Sequence, residues 1–286
     1  MIILLAAVNI FMAVMLAGST ATEVYDSSAV KNITELLSSG GIAADESFLN
    51  TDYENARVFV CHLDENYSAD VAKKLMGEYD EVFSTPNGTE FFSQKSRLKI
   101  GNEMEIEYSD GNFDIANIRE SEEMTSSEVE QLNEVLSNVF GTGGFKLFSS
   151  EKDGSFISAR IVQRIDGLNV ENNTLKCVFD EGSLVFLEGK WCFASIDESF
   201  SAHTLDSVNI LFIEKNELAA ARAENADIPE TLTVKNMSRC YCSHVSADGT
   251  KAYFMPSWHI EWLENEMYDS FYNAVNGEKT VFEQQY

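Results

Sequence analysis

Thr125 to Gly141, TSSEVEQLNEVLSNVFG, is the stretch from which the fold class is read. Thr125 with Glu128 three residues on is a capping box: the threonine hydroxyl accepts from a backbone N–H of the first turn and the glutamate reaches back to the threonine N–H. Val129, Leu132, Leu136, Val139 and Phe140 share one stripe at the helical period, and Gly141 ends the run. A helix with one apolar stripe needs a surface to cover. The residues after Gly143-Gly144 supply it. Phe156 to Ile165, Thr174 to Phe179 and Leu184 to Phe193 read as strands, turned at Asp166-Gly167 and Glu181-Gly182.

Downstream the same order restarts. Leu205, Val208, Leu211, Phe212 and Leu218 mark a helix of about four to five turns, and from Leu232 long strands run to the C terminus. Upstream, Ser27 to Ser39 carries Val30, Ile33, Leu36 and Leu37 at helical spacing and stops at Gly40-Gly41. Arg57 to Leu63 alternates as a strand, and Ser68 to Met76 is a helix closed by Gly77. Phe91-Phe92, Leu98 to Ile100 and Glu103 to Tyr108 are strands; the last puts Met104, Ile106 and Tyr108 on one face and Glu103, Glu105 and Glu107 on a solvated face. Asp110-Gly111 signals a hairpin to a strand at Phe113 to Ile118. The class is therefore α+β, with antiparallel sheets that each carry a helix on one face in repeated helix-then-strands units. The expected domains are residues 24–120 and residues 121–286, the second made of two such units.

Ile2 to Gly18, IILLAAVNIFMAVMLAG, holds one polar side chain, Asn9, and no charge. As a helix it reaches about 25 Å, just short of a hydrocarbon core of roughly 30 Å. Residues 1–21 read either as a retained transmembrane anchor or as a secretory signal cleaved near Ser19-Thr20-Ala21. The anchor is preferred, because Asn9 suits a polar contact between membrane helices. Both readings call for a positive flank that is absent, so a short basic cytoplasmic segment is expected ahead of Met1. In either case the remaining residues are extracytoplasmic.

The net charge of −27 falls entirely outside this stretch and disfavours nucleic acid as a partner. Three prolines and no low-complexity tract argue against a disordered stalk. Of five cysteines, Cys61 and Cys177 alternate with apolar residues as core positions, Cys240 and Cys242 point the same way from one strand, and Cys192 leaves the count odd. No structural disulfide is expected.

Signals for chemistry are weak. Cys240, Cys242 and His244 share one strand face, but no second ligand pair stands at a metal spacing, His203 and His259 being the nearest candidates. Asp64-x-Asn66-x-Ser68 and Asp110-x-Asn112-x-Asp114 begin like calcium loops and lack the glycine and the closing glutamate. There is no nucleophile elbow and no phosphate loop. The reading is of a protein that is not an enzyme, with no catalytic residue, metal or cofactor. The C-terminal stretch is rich in aromatics, Phe254, Trp258, Trp262, Tyr268, Phe271 and Tyr272. They are either strand core or an exposed docking surface.

Val8-Asn9 within the apolar stretch, the Gly40-Gly41-Ile42 turn, the segment Ala159 to Gly167 (ARIVQRIDG), the tail Tyr253 to Ile260 (YFMPSWHI) and Phe271 to Gly277 (FYNAVNG) together resemble the YycI/YycH regulatory proteins. These are single-pass membrane proteins of Gram-positive bacteria. The resemblance covers the whole chain and rests on structural, not chemical, signatures; the lack of a basic leader departs from the family pattern. It implies an extracytoplasmic domain related to PepSY and cystatin-like folds, held at the cell membrane by one transmembrane helix. It also implies a two-component partner, the WalK sensor histidine kinase of cell-wall metabolism, contacted through that helix, with a sister regulatory protein as a further partner. The alternative function is a secreted PepSY-like module that inhibits an envelope protease.

Overall fold

The structure is a computed structural model that describes residues 27–49, 55–110, 124–225, 227–264 and 269–281. Ile2 to Gly18, the strand expected at 113–118 and Tyr268 lie outside them. Among the described residues no helix is long and apolar enough to cross a membrane. The architecture is α+β, with four α-helices among the described residues and a large, mainly antiparallel sheet. Two compact units divide it. Of the described residues, the first joins those up to Ala56 with those of His203–Ser238 and Trp258–Lys279; the second joins those of Arg57–Ala202 with those of Arg239–Ser257 and those from Thr280 on.

The first unit contains helix α1 (Ser27–Ser38) and the short strand β1 (Ile42–Ala43), whose Ile42 pairs in parallel with Leu232. Its long helix runs over Ser207–Glu224, with Asp206 as N-cap accepting from the Asn209 N–H at 2.7 Å. That helix turns Val208, Ile210, Leu211 and Leu218 onto Leu37, Ile42, Leu232, Val234, Trp258 and Ile260. Each such side chain contributes about 1.5–3 kcal/mol on burial. Arg222 in its last turn donates to the carbonyls of Gly40, Gly41 and Pro229 at 3.0, 3.2 and 2.8 Å, which satisfies the chain where α1 ends. The aromatic tail belongs to this core: Trp258, Trp262, Phe271 and Tyr272 are buried, and Trp258 Nε1–H donates to the Leu205 carbonyl at 2.9 Å.

The second unit begins with β2 (Ala56–His62) and α2 (Tyr67–Met76), then β3 (Glu81–Thr85), β4 (Gly88–Phe92), β5 (Ser96–Gly101) and β6 (Glu105–Asp110). Helix α3 (Ser126–Phe140) carries the expected capping box at Thr125 and Glu128. It is followed by β7 (Phe145–Asp153), β8 (Phe156–Ile165), β9 (Leu168–Asp180), β10 (Ser183–Lys190) and β11 (Glu198–Ala202). After α4 (Ser207–Glu224) come β12 (Leu232–Val245) and β13 (Lys251–Trp262), whose residues 239–245 and 251–257 fall in this unit. The antiparallel order β3-β4-β5-β6-β10-β9-β8-β7 makes one broad surface. Val71 and Ala72 of α2 and Leu132, Leu136 and Phe140 of α3 cover a single face of it, packing on Phe91, Leu98, Ile100, Ile106, Ile161, Leu175 and Phe179.

Several local expectations are met at the residue level. The turns at Asp166-Gly167 and Glu181-Gly182 take positive φ at both positions (51° and 81°, 47° and 84°), the two-residue geometry that matches strand twist. Others change. Phe156 to Ile165 is a strand end to end, but the next strand starts at Leu168, not Thr174, and the one after stops at Lys190, not Phe193. Trp191 leaves the ladder to donate to the Met104 carbonyl at 3.1 Å, and Cys192 N–H to donate to the Gln163 side chain at 3.2 Å. The strand expected from Glu103 begins at Glu105, because Met104 sits at φ 67°. β6 is paired along its length with β5 on one edge and β10 on the other. Strands β3, β7 and β11 are absent from the sequence reading. They are largely exposed, so no buried alternation marks them.

Candidate functional site

In a strand successive side chains point to opposite faces, so the face that α2 and α3 leave uncovered is set by residue parity. On β5 the covered residues are Leu98 and Ile100 and the uncovered ones Lys99 and Gly101; on β6, Ile106 and Tyr108 against Glu105 and Glu107. On β10 Leu187 is covered while Glu188 and Lys190 are not, and on β8 Ala159 and Ile161 are covered while Arg160 and Val162 are not. This uncovered face is hollowed into a groove of about 780 Å³ within the second unit. The solvated glutamates Glu105 and Glu107 of the sequence reading are part of its floor.

Two backbone features shape the groove. Gly189 has φ 138°, and a Cβ there would lie 2.1 Å from the Thr174 carbonyl oxygen, so only glycine lets β9 and β10 approach as they do. In β7 the register shifts between Leu147 and Ser149, a bulge that leaves Phe148 without a cross-strand partner. Bulges re-aim side chains. Phe148 is 65% exposed and lines the groove beside Arg160, the residue opposite Ser149.

The rim amides are engaged. Asn102 donates to the Pro86 carbonyl at 2.7 Å and Asn169 to Glu171 at 3.1 Å. Asn172 both donates to the Ser243 carbonyl and accepts its N–H, each at 2.7 Å. Behind them lies a buried amide relay in which Asn173 donates to Gln163 at 2.6 Å and accepts from the Ser243 hydroxyl at 2.5 Å. The charges are freer. Lys190 and Glu103 stand 3.9 Å apart, while Lys99, Arg160, Glu107 and Glu188 have no ion-pair partner among the described residues. The surface offers fixed charges of both signs on a rigid sheet, open to solvent, which suits recognition of a polar ligand.

A second polar cluster lies inside the first unit. Glu214 of α4 is fully buried and accepts from the Ser270 hydroxyl at 2.9 Å, from the Tyr272 hydroxyl, and from Lys279 Nζ at 3.4 Å. Burial and the adjacent carboxylate push the Tyr272 phenol far above its ordinary value. Nearby, His259 contacts Asp269 at 3.2 Å and stacks on Phe271 with ring centroids 4.3 Å apart, while Asp269 accepts the Trp262 N–H at 3.1 Å. These contacts tie α4 to β14 (Ser270–Asn273) and Asp269 to His259 and Trp262; Glu214, Ser270, Tyr272 and Trp262 are buried, while Lys279 is exposed. The cluster is structural in character.

The other sequence candidates are dispersed. Cys240 and Cys242 are buried thiols, and His244 is exposed and stacks on Tyr253 with centroids 5.2 Å apart. Among the described residues no three His, Cys, Asp or Glu side chains converge as a metal site. Asp64 accepts the Asn66 N–H at 2.8 Å as a turn that opens α2. Phe254, Trp258, Trp262, Phe271 and Tyr272 are buried, so these five aromatics of the tail are core residues. Sequence reasoning missed Arg160, Phe148, Glu188 and Lys190 as groove residues; the solvated glutamates were the visible part of the signal.

Neither a protein-family model nor a curated protein sequence matches the chain. Among solved structures, it is similar to an uncharacterized protein from Eubacterium rectale at 12% identity and a TM-score of 0.44, covering 82% of this chain and 88% of that one. It is also similar to the YpeB C-terminal domain of Bacillus megaterium, at 11% identity, a TM-score of 0.33 and coverages of 78% and 98%. A third similar structure is YycH of Bacillus subtilis, at 10% identity and a TM-score of 0.36, where the likeness covers 80% of this chain and 51% of that one.

Proposed function

We propose that the protein acts by binding, without chemistry of its own, as a membrane-anchored extracytoplasmic regulator of a sensor histidine kinase. The observation that supports binding is the groove of the second unit: an open, rigid sheet face with unpaired charges of both signs. The regulatory role draws on the resemblance of the quoted segments to YycI/YycH proteins, and the anchor on Ile2 to Gly18 with its single Asn9. A partner that binds one signalling state of a kinase better than the other shifts its equilibrium, and a coupling of about 1–3 kcal/mol is enough. In this reading the anchor helix lies against the kinase's membrane helices and the exported part sets the strength of the contact.

A photoreactive residue at Asn9 or Met12, activated in cells, tests this. The expected product is a crosslink to a transmembrane helix of a sensor kinase, and replacing Ile2 to Leu16 with an unrelated polyleucine segment is expected to abolish the effect on kinase output. Recovery of the protein in the medium without residues 1–21 would overturn the anchor and favour a secreted inhibitory module.

A further inference from the structure

We propose that the groove recognises a short extended peptide segment that presents a basic side chain and a carboxylate together. This rests on the reading of the protein as a binding module and names the ligand of that same site.

The ladder registers carry the inference. Lys99 lies opposite Glu107, Glu107 opposite Glu188, Glu188 opposite Lys176, and Lys176 opposite Arg160. Five charged side chains thus form one row across β5, β6, β10, β9 and β8, in the sign order plus, minus, minus, plus, plus. Two of the four neighbouring pairs are like-charged, an arrangement that weakens a sheet when the residues are directly opposed. None of the five has an ion-pair partner among the described residues. A folded protein retains opposed like charges at a cost, and a ligand of complementary charge removes that cost on binding.

The row also selects the class of ligand. The rim amides Asn102, Asn169 and Asn172 already make internal hydrogen bonds and the charges of the row make no ion pair, so a neutral oligosaccharide would leave those charges uncompensated. A simple anion is repelled by the net charge of −27, and a simple cation leaves Arg160 and Lys176 unmatched. A peptide segment satisfies both signs. Glu188 and Arg160 are two strands apart, roughly 10 Å, the span of about three residues of extended chain. The opposed glutamates take the lysine or arginine, and Arg160, with Phe148 beside it, grips the carboxylate through its planar fork.

The test uses the full chain and a blocked glycine-rich peptide with one lysine and one glutamate two residues apart, the spacing that turns both side chains to one face of an extended chain, followed by fluorescence anisotropy at low salt. The control peptide carries glutamine at both positions. Binding of the charged peptide, weakened about tenfold by Glu188→Gln and about tenfold by Arg160→Gln, is expected. The losses should also be residue-matched: Glu188→Gln should not affect a peptide whose lysine is already glutamine, nor Arg160→Gln one whose glutamate is. Equal binding of the glutamine peptide, or binding of neutral chitooligosaccharide in its place, overturns the peptide assignment while leaving a binding groove. If no probe binds and cells carrying Glu188→Gln with Arg160→Gln lose kinase regulation, the ligand class alone fails. If no probe binds and regulation is intact, the groove has no part in binding and the functional reading falls with it.

Discussion

Glu107 and Glu188 face each other directly across β6 and β10, two carboxylates opposed on an open sheet face with Lys99 and Lys176 at the outer ends of the pair. Directly opposed like charges destabilise a sheet by about 0.2–1 kcal/mol. Replacing one of them, Glu188→Gln, is therefore expected to raise the thermal midpoint by a degree or more while weakening groove binding, the trade of stability against function common at sites. A lower midpoint for this variant would show that the pair is neutralised in the free protein.

Glu214 makes the opposite prediction. Its carboxylate is the acceptor for Ser270, Tyr272 and Lys279 in the first unit, so Glu214→Ala removes an acceptor shared by two buried hydroxyls and opens a void. The expected loss is about 3 kcal/mol in denaturant unfolding, with Glu214→Gln losing about half as much. A change below about 0.5 kcal/mol would mean that the network is not closed in solution.

Acid sensitivity is written into α3. The Lys152 ammonium, followed by the Thr125 N–H and hydroxyl, holds the Glu128 carboxyl down at about 2, from an ordinary 4.5. A depressed folded value means that the contribution to stability is fully present above the ordinary value and fades as pH falls from about 4.5 to about 2. Asp248, held at about 2 by Ser246 and Thr250, adds a contribution that fades as pH falls from about 3.8 to about 2. The Glu128→Gln variant should show a flatter stability profile between those pH values in urea unfolding. An unchanged slope would place the acid response elsewhere.

All five cysteines are buried thiols. Burial alone drives Cys177 upward, and Cys61 is raised by the hydrogen bond it shares with Cys192 and by burial. A protonated buried thiol is a poor nucleophile. The native protein should thus react with no more than one equivalent of a disulfide reagent at neutral pH, and with five after denaturation. Fast reaction of two or more native thiols would contradict the packing around them.

The features legible in the amino-acid order are those whose physics is local. The capping box at Thr125 and Glu128, the stripe from Val129 to Phe140, the turns at Asp166-Gly167 and Glu181-Gly182, and the faces of Ile106 and Glu107 depend on residues within a few positions of each other. Only the tertiary structure decided which strands lie side by side, because period-two alternation assigns a face and names no neighbour. β6 is flanked by β5 and β10, and β12 and β13 each give residues to both compact units. The aromatic tail shows the same limit: Trp258 and Tyr272 look alike as core or as surface until α4 is seen to cover them. The groove was the least legible feature. Its defining contact, Glu107 against Glu188, arises from the register of two strands far apart in the chain, and register is fixed by packing of the covered face, not by the residues that the groove displays.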